Sequence, residues 1–383
     1  MHMPAPVAAA PAPYRAGRTT AAPFTLSRPQ GSIRAEGVLR RFDDATEAAR
    51  ALRAGDVSAL TGAIPFASDA PSALVEPALL WRTEKPWRSM SAAALPACSV
   101  EQHLPAEGEH VARVRAALTR LRDEHDPLLK VVLARALRLR AHGPLEPEGL
   151  LQNLIANDPA GNGYCVDLSA AGDEHSDQWL VGSSPEVLIR KQGSAVSCHP
   201  LAGSAPRLDD PLADWESGRA LGTSAKNLRE HRYVVDAIRG RLDPLCSDLD
   251  IPTRPTLTHT PQLWHLGTPI HGVLRDPSIT ALDLALAVHP TPAICGTPTV
   301  DAFDVIREME SDRGFYAGAV GWCDERGDGE WMVTIRCARI DADGTGLTAY
   351  AGGGIVADSV AEDELAETTT KFTTVLDALG VGR

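Results

Sequence analysis

Apolar residues recur along this chain with two different periods, and each change of period marks a predicted element. Val111, Val114, Leu118 and Leu121 are spaced as on the buried face of an amphipathic helix. The same period predicts helices over residues 109–122, 224–242, 278–288 and 299–309. Short apolar runs predict strands over residues 130–135, 178–182, 186–191 and 194–198.

The C-terminal part of the chain holds the densest pattern of predicted elements. Strands are predicted over residues 316–323, 330–340 and 347–350. Gly327-Asp328-Gly329 predicts a hairpin turn, and Gly352-Gly353-Gly354 follows the last strand. A final helix is predicted after Ser359, with Glu362 at the capping-box position. Because the strands occur in neighbouring pairs with helices between them, we predict an α+β fold with mostly antiparallel sheets.

Composition permits a substantial core and argues against several classes of partner. Apolar residues make up 44% of the 383 residues, which fits one large domain or two fused halves. Lys and Arg total 37 against 50 Asp and Glu, so the net charge is −13, and neither nucleic acid nor an anionic membrane is an expected partner. No apolar run approaches the ~18 residues of a transmembrane helix. An anionic ligand would therefore need a local basic cluster or a metal ion.

The cysteines and the N-terminal segment bear on where the protein works. There are seven cysteines, an odd number without any CxxC pair, which favours reduced thiols and a cytoplasmic location. Residues 1–30 are rich in Ala and Pro, and the prolines interrupt every apolar run, which argues against a signal peptide. We predict a disordered tail over these residues, with an organelle transit peptide as the alternative.

Three polar residues share one face of the predicted C-terminal helix. Glu364, Glu367 and Lys371 fall within an arc of about 60° at helical pitch. One interpretation is a solvated face with an ordinary Glu367–Lys371 ion pair. The other is a carboxylate pair facing a hard cation, with a lysine for an anionic ligand. Gly352–Gly354 would let backbone N–H groups approach such a ligand, although a glycine-rich turn is the simpler interpretation.

Other polar residues lie in apolar or charged stretches that leave two interpretations open. Lys130 and Glu186 begin predicted strands, either as exposed strand ends or as buried groups suited to act as base and acid. Arg336 lies in an apolar run and needs a carboxylate partner from the protein or a ligand. His265 is typical of a core residue and Glu230 of a solvated helix face. Together the residues indicate a metal-assisted site for a carboxylate-bearing ligand.

The segments that hold these residues resemble the chorismate-utilising enzymes, a family that includes isochorismate, salicylate, anthranilate and aminodeoxychorismate synthases. The matching segments are Lys130–Arg135, Gly182–Glu186, Pro200–Ala205, Leu263–Leu266, His289–Ala293, Gly321-Trp322, Thr334–Ala338 and Gly352–Val356. Their order along the chain makes the match specific. The resemblance implies a single domain over residues 31–383, with the motifs in 125–383. It also implies two packed, mostly antiparallel sheets with helices on the outside.

Within this family, the sequence is most similar to isochorismate synthases of the siderophore or menaquinone type. Members that transfer an amine lack a lysine at the place of Lys130, and no amidotransferase domain is fused to this chain. The resemblance implies Mg²⁺-dependent conversion of chorismate to isochorismate, in which water adds at ring C2 and the C4 hydroxyl departs. A salicylate synthase, which also eliminates pyruvate, and a non-catalytic chorismate-binding protein are the alternatives.

The resemblance also implies a role for each candidate residue. Lys130 would be the general base for the attacking water, and Glu186 the general acid for the departing hydroxyl. Glu230 and Glu367 would bind Mg²⁺, with Glu364 supporting them. The remaining residues would bind the substrate, namely His265, Ala293, Tyr316, Arg336, Gly352, Gly354 and Lys371.

Two further expectations follow from the sequence. Ala225 and Asn227 stand where the family usually has acidic residues, which predicts altered support around the Mg²⁺ site without loss of the metal. The sequence predicts no long exposed apolar stripe and has no heptad repeat, so we predict a monomer.

Overall fold

The computed structural model describes residues 24–87 and 94–382. The helices in these ranges are α1 (Ala45–Ala54), α2 (Glu107–Leu121), α3 (Pro147–Asn157), α4 (Pro211–Thr223), α5 (Ala225–Leu242), α6 (Ala281–Val288), α7 (Thr299–Met309) and α8 (Ala361–Leu379). The first strands are β1 (Phe24–Arg28), β2 (Gly31–Phe42), β3 (Ala59–Ile64), β4 (Ala73–Thr83), β5 (Cys98–Leu104), β6 (Lys130–Ala141), β7 (Gly163–Asp167), β8 (Trp179–Gly182), β9 (Val187–Gln192) and β10 (Ala195–His199). The others are β11 (Leu201–Pro206), β12 (Cys246–Asp250), β13 (Thr256–His259), β14 (Leu263–Gly267), β15 (Ile270–Leu274), β16 (Gly296–Thr297), β17 (Ala319–Asp324), β18 (Gly329–Val333), β19 (Cys337–Ile340) and β20 (Gly346–Ile355).

Seventeen of these strands form one continuous antiparallel ribbon. Its order is β12-β15-β10-β9-β18-β17-β3-β4-β2-β1-β7-β8-β19-β20-β6. Both β5 and β16 pair with the outer edge of β6, at different positions along it. Strands β11, β14 and β13 form a separate small sheet.

The ribbon folds back on itself, so its two halves share one apolar core. Ile189 and Trp331 come from one half and Val131 and Leu133 from the other, and all four belong to the same buried cluster. A second cluster is built from the middle and far end of β6, from β20, and from helices α3 and α8, which pack against each other. Helix α6 packs outside the first half, against β9 and β18. The predicted α+β fold of packed antiparallel sheets with outer helices is therefore confirmed.

Strongly periodic elements lie close to their predicted positions. Helix α7 has the predicted bounds, and α5 begins one residue after the predicted start because Ser224 is its N-cap. The Ser224 side chain accepts a hydrogen bond from the Asn227 N–H at 3.3 Å, which satisfies one free donor at the helix start. No helix in residues 24–87 and 94–382 is long and apolar enough to cross a membrane.

The predicted N-terminal tail is wrong for its last residues. Phe24–Arg28 forms β1, which pairs with β2 on one side and β7 on the other. Phe24 and Leu26 are buried in the main core, and this burial stabilises the strand despite the proline-rich sequence before it. Residues 1–23 lie outside the described part of the chain.

The glycine run and the start of the last helix also differ from prediction. Gly352–Gly354 lie within β20, paired with β6, and do not form a turn. The predicted capping box at α8 is wrong, because the N-cap is Val360 and makes no side-chain cap. The Ser359 hydroxyl instead accepts a hydrogen bond from the Val356 N–H at 3.2 Å and closes the turn before the helix.

The strand predicted over residues 330–340 is interrupted near its middle. Strand β18 ends at Val333 and β19 begins at Cys337, so Arg336 lies between strands. Its φ of 53° is left-handed, an uncommon conformation for a residue other than glycine. The break turns the backbone at the place where the Arg336 side chain meets the cavity described below.

Candidate active site

A cavity of about 720 Å³, including its mouth, opens between β20, β11 and helices α5 and α8. All the predicted site residues except Lys130 and Glu364 line it, namely Glu186, Glu230, His265, Ala293, Tyr316, Arg336, Gly352, Gly354, Glu367 and Lys371. Strands and helices far apart in the chain contribute these residues. The structure therefore brings the predicted set together around one space.

Strand β20 forms one wall of the cavity, and its glycines let the wall approach the acidic residues closely. Gly354 lies opposite Val132 of β6 in the ladder, and Gly352 lies opposite Ala134. A Cβ atom at Gly354 would lie 2.1 Å from Glu230 Oε1, and one at Gly352 would lie 2.8 Å from the Tyr316 hydroxyl. The glycines are required here for close approach rather than for a turn.

Lys130 is fully buried at the start of β6, behind the cavity lining. Its Nζ lies 3.0 Å from Glu230 Oε1, and it has no well-directed hydrogen bond to the residues that the structure describes. Glu230 projects from α5 into the cavity and is itself 7% exposed. The Glu230 carboxylate, which lines the cavity, therefore lies between the cavity and the Lys130 ammonium group.

Helix α8 carries two further carboxylates, each paired with a lysine. Glu364 Oε1 accepts a hydrogen bond from Lys226 Nζ at 2.9 Å, whereas its Oε2 is buried without a partner among the described residues. Glu367 pairs with Lys371 at 2.5 Å, and Lys371 Nζ also donates to the Gly352 carbonyl at 2.7 Å. The predicted Glu367–Lys371 contact exists, but it faces the cavity rather than solvent.

These carboxylates titrate differently because their surroundings differ. Burial raises the pKa of Glu364 to about 7, with Glu367 adding to the rise and Lys226 opposing it. Burial also acts to raise the pKa of Glu367, but the charge and hydrogen bond of Lys371 outweigh it and hold that pKa below its usual value. The helix thus presents one carboxylate that stays ionised and one that readily takes a proton.

Each of the three predicted metal ligands is thus engaged by a lysine. The pairs are Lys130–Glu230, Lys226–Glu364 and Lys371–Glu367. Within residues 24–87 and 94–382, no three carboxylate, imidazole or thiolate groups converge closely enough to hold a metal ion. Lysine charge alone balances the acidic groups in this arrangement, and the predicted Mg²⁺ site stays a prediction.

Glu186 lies in the cavity wall immediately before β9 and is 4% exposed. Burial raises its pKa to about 7, against the opposing effects of the Leu201 N–H, Lys130, Lys371 and Arg336. A carboxylic acid with this pKa is protonated in a large fraction of molecules near neutral pH. It can therefore donate a proton to a leaving group within the cavity.

The cationic and aromatic side chains of the cavity suit an anionic ring compound. The Arg336 guanidinium makes no hydrogen bond or ion pair with the described residues, although the side chain is buried. Burial, with Arg336 and Lys371 nearby, holds the pKa of His265 well below its usual value, so its imidazole is neutral. Tyr316 and Tyr350 stack with ring centroids 5.0 Å apart and form an aromatic surface. The buried arginine is available to a carboxylate of the ligand.

Sequence reasoning missed several residues at this site. Lys226 lies in the motif that precedes Glu230, but its partner Glu364 is 138 positions away, so no local spacing could have paired them. Tyr350 alternates with Gly352 and Gly354 along β20, and this period of two was a usable signal that it faces the cavity. Ser204 lines the cavity as well, from the segment already matched to the family.

Comparisons with known proteins agree with this geometry. The chain matches the family described as chorismate binding enzyme over residues 66–380. It is 46% identical over 269 residues to isochorismate synthase DhbC of Bacillus subtilis, covering 70% of this chain and 67% of that protein. It is 50% identical over 361 residues to MenF of Mycobacterium tuberculosis, covering 94% of this chain and 96% of that protein.

The fold comparison points the same way. The crystal structure of DhbC from Bacillus anthracis matches with a TM-score of 0.86 and 34% identity, covering 95% of this chain and 98% of that one. The cavity thus combines an acid, three carboxylate–lysine pairs and a buried arginine without a hydrogen-bond partner among the described residues. The chain belongs to the chorismate-binding enzyme family, and the predicted resemblance is confirmed.

Proposed function

We propose that this protein is an isochorismate synthase that requires Mg²⁺. Water adds at ring C2 of chorismate, the ring double bonds shift, and the C4 hydroxyl leaves as water after taking a proton. The product has the composition of the substrate, so no organic cofactor is needed. The observation that carries this proposal is a protonatable Glu186 and a buried Lys130–Glu230 pair at one cavity that also holds an unpaired arginine.

Glu186 and Lys130 supply the two proton transfers in this reaction. Glu186 donates its proton to the departing C4 hydroxyl, which its pKa of about 7 permits near neutral pH. Lys130 accepts the proton of the attacking water. General acid and base catalysis of this kind contributes about 10²–10⁴-fold each.

The two carboxylates of the substrate need separate positive partners. Arg336 and Lys371, with the backbone of Gly352–Gly354, bind the enolpyruvyl carboxylate. Neutral His265, whose Nε2 is buried without a hydrogen-bond partner among the described residues, would donate a hydrogen bond to the ring carboxylate. Tyr316 and Ala293 form the surface against the ring.

The chemistry of the donors around Glu230, although not their spacing in this structure, suits a magnesium ion. Glu230, Glu364 and Glu367 offer only carboxylate oxygens, the ligands that Mg²⁺ prefers, and Glu364 Oε2 is buried without a partner among the described residues. Glu230 and Glu367 would hold the ion, with Glu364 in support. Bound there, Mg²⁺ supplies the positive charge that keeps the ring carboxylate beside acidic residues. Asn227, where the family usually has an acid, leaves the three carboxylates in place.

The cellular setting of the reaction is also proposed. Isochorismate would enter siderophore, menaquinone or related biosynthesis. The seven cysteines are all free, which supports a reducing cytoplasm. We propose a monomer, which light scattering on a sizing column would test.

Product analysis of the purified protein with chorismate, with and without Mg²⁺, tests the proposal. Liquid chromatography with mass detection should reveal a product of unchanged mass and shifted retention, formed only with Mg²⁺. Salicylate and pyruvate as the main products would instead make the protein a salicylate synthase. No turnover under any condition would favour a protein that binds chorismate without converting it.

A further inference from the structure

The outer edge of β6 has a gap between its two partner strands. Strand β16 pairs with Lys130 and Val131, and the pairing with β5 begins only at Ala136. The four residues between them, 132–135, are buried, and Val132 lines the cavity. Buried backbone N–H and C=O groups need hydrogen-bond partners. The Val132 N–H donates to the Cys295 carbonyl at 2.8 Å, beside β16, but the Val132 carbonyl and the Ala134 N–H have no partner strand on this edge.

Two side chains that follow helix α7 fill most of this gap. Glu310 Oε1 accepts a hydrogen bond from the Ala134 N–H at 2.6 Å, and Arg313 Nη2 donates to the Val132 carbonyl at 2.7 Å. Arg313 also binds Glu310 in the two-pronged arrangement, with Nε at 2.8 Å and Nη2 at 2.9 Å from the carboxylate oxygens. Both side chains are nearly fully buried. The pair therefore acts as a short substitute for a strand.

The same pair also holds a second part of the cavity wall. Arg313 Nη1 donates to the Ile294 carbonyl at 2.8 Å, and both Ile294 and Val132 line the cavity. Val132 lies two residues after Lys130 and opposite Gly354 in the ladder. The Arg313 guanidinium thus contacts both β6, the strand of the proposed base Lys130, and the loop that contains Ile294. Through β6 it is also connected to β20, whose glycines form one wall of the cavity.

We propose that the Glu310–Arg313 pair is a positioning element for the reaction. It fixes the position of β6 at Val132–Ala134. It therefore also determines where Lys130 lies relative to the glycines of β20. The kinetic part of this inference rests on the proposed isochorismate synthase function. The structural part, that the pair holds β6, does not.

Lysine cannot replace Arg313 in this arrangement. A guanidinium presents a flat set of donors that reaches both carbonyls and the carboxylate at once, whereas an ammonium group is a compact point charge. Arg313→Lys therefore keeps the charge and loses the geometry. Glu310→Gln keeps an oxygen for the Ala134 N–H and removes the charge, so it is the milder variant.

Lys191→Met is the matched control. Lys191 is also buried and pairs with Asp328 at 3.1 Å, but it lies five residues along β9 from Glu186, about 16 Å away. Its loss removes a buried ion pair outside the cavity. The measurements are kcat and KM for chorismate, thermal unfolding, and hydrogen exchange of the backbone amides of residues 130–136.

We expect Arg313→Lys to lower kcat by about 10²-fold, since a misplacement of about 1 Å has that effect on a reacting group. Exchange at Ala134 should quicken in the same variant, and Glu310→Gln should show smaller changes in the same direction. Lys191→Met should lose stability and keep wild-type kcat and wild-type exchange at Ala134. If Arg313→Lys does not fold, Glu310→Gln decides by the same two readouts.

Two results would overturn the inference. Wild-type kcat in Arg313→Lys, together with lost stability, would mean that the pair only supports the fold. Unchanged exchange at Ala134 would mean that the pair does not hold β6. A wild-type protein that never converts chorismate would refute the proposed function instead, and the exchange measurement would still decide whether the pair holds the strand.

Discussion

A methyl group at Gly354 would test how closely the glycine wall fits the acidic residues. The new Cβ would lie 2.1 Å from Glu230 Oε1 and 3.0 Å from Lys130 Cε, whereas ordinary contact begins at 3.4 Å. Glu230 would have to withdraw its oxygen by at least the difference, 3.4 minus 2.1, or 1.3 Å. Gly354 does not have a positive φ, so Gly354→Ala adds no backbone strain.

This displacement should reduce activity much more than stability. A shift of about 1 Å in a positioned group can lower the rate by about 10²-fold, which corresponds to about 2.7 kcal/mol of activation free energy. We expect a fall of that size in kcat and weaker Mg²⁺ binding, measured by product formation and by calorimetry. Thermal unfolding should shift less than activity, but downward, because the displaced Glu230 weakens its buried ion pair with Lys130.

Gly240→Ala is the control for the same chemical change. Gly240 lies in α5, the helix that carries Glu230, and a Cβ there would meet no atom within 4 Å. Alanine in a helix is favoured over glycine by about 0.5–1 kcal/mol, so this variant should be active and slightly more stable. If Gly354→Ala bound Mg²⁺ and turned over chorismate as the wild type does, Glu230 would be free to move and the close-approach argument would be wrong.

Three further substitutions test the proposed roles. Lys130→Ala should abolish turnover and keep chorismate binding in calorimetry; near-wild-type turnover would contradict its role as base. Glu367→Ala should weaken Mg²⁺ binding, and an unchanged affinity would move the ligand elsewhere. Burial raises the pKa of Glu186 from 4.5 to about 7, so between these pH values the folded protein holds a proton that the unfolded chain has lost. The free energy of unfolding therefore falls by up to about 3 kcal/mol as the pH rises from 4.5 to about 7. Glu186→Gln without Mg²⁺ should therefore unfold at a higher temperature than the wild type at pH 8 but not near pH 4.5; parallel curves would contradict the burial argument.

The fold was predictable where an element buries one face, because that burial requires apolar residues at a regular spacing in the sequence. Helices α5 and α7 have a clear apolar stripe, and their predicted and observed bounds agree within a residue. Strand β1 forms a tight hairpin with the next strand, β2, but its other edge pairs with β7 near Cys165, far along the chain, and local spacing does not reveal that second pairing. Tertiary pairing, not local propensity, makes such a strand.

The site was predictable as a set of residues but not as an arrangement. The family resemblance gathered the residues that line the cavity, because their motifs keep one order along the chain. It did not indicate that Glu230 would cover Lys130, or that Lys226 would bind Glu364. Ion pairs between residues a hundred or more positions apart leave no periodic trace. The hydrogen bonds of Glu310 and Arg313 to β6 were missed for the same reason, because they span 176 and 181 positions.

The pairing of β6 with β20 also bears on how the chain is made. Val132 and Gly354 are neighbours in the ladder but stand roughly 200 residues apart, which a ribosome needs about 10–40 s to add. During that time the inner edge of β6 has no native partner, and an unpaired apolar edge is prone to pair with other chains. Expression at lower temperature or with chaperones should therefore raise the soluble yield of this protein more than that of proteins whose strands pair with near neighbours.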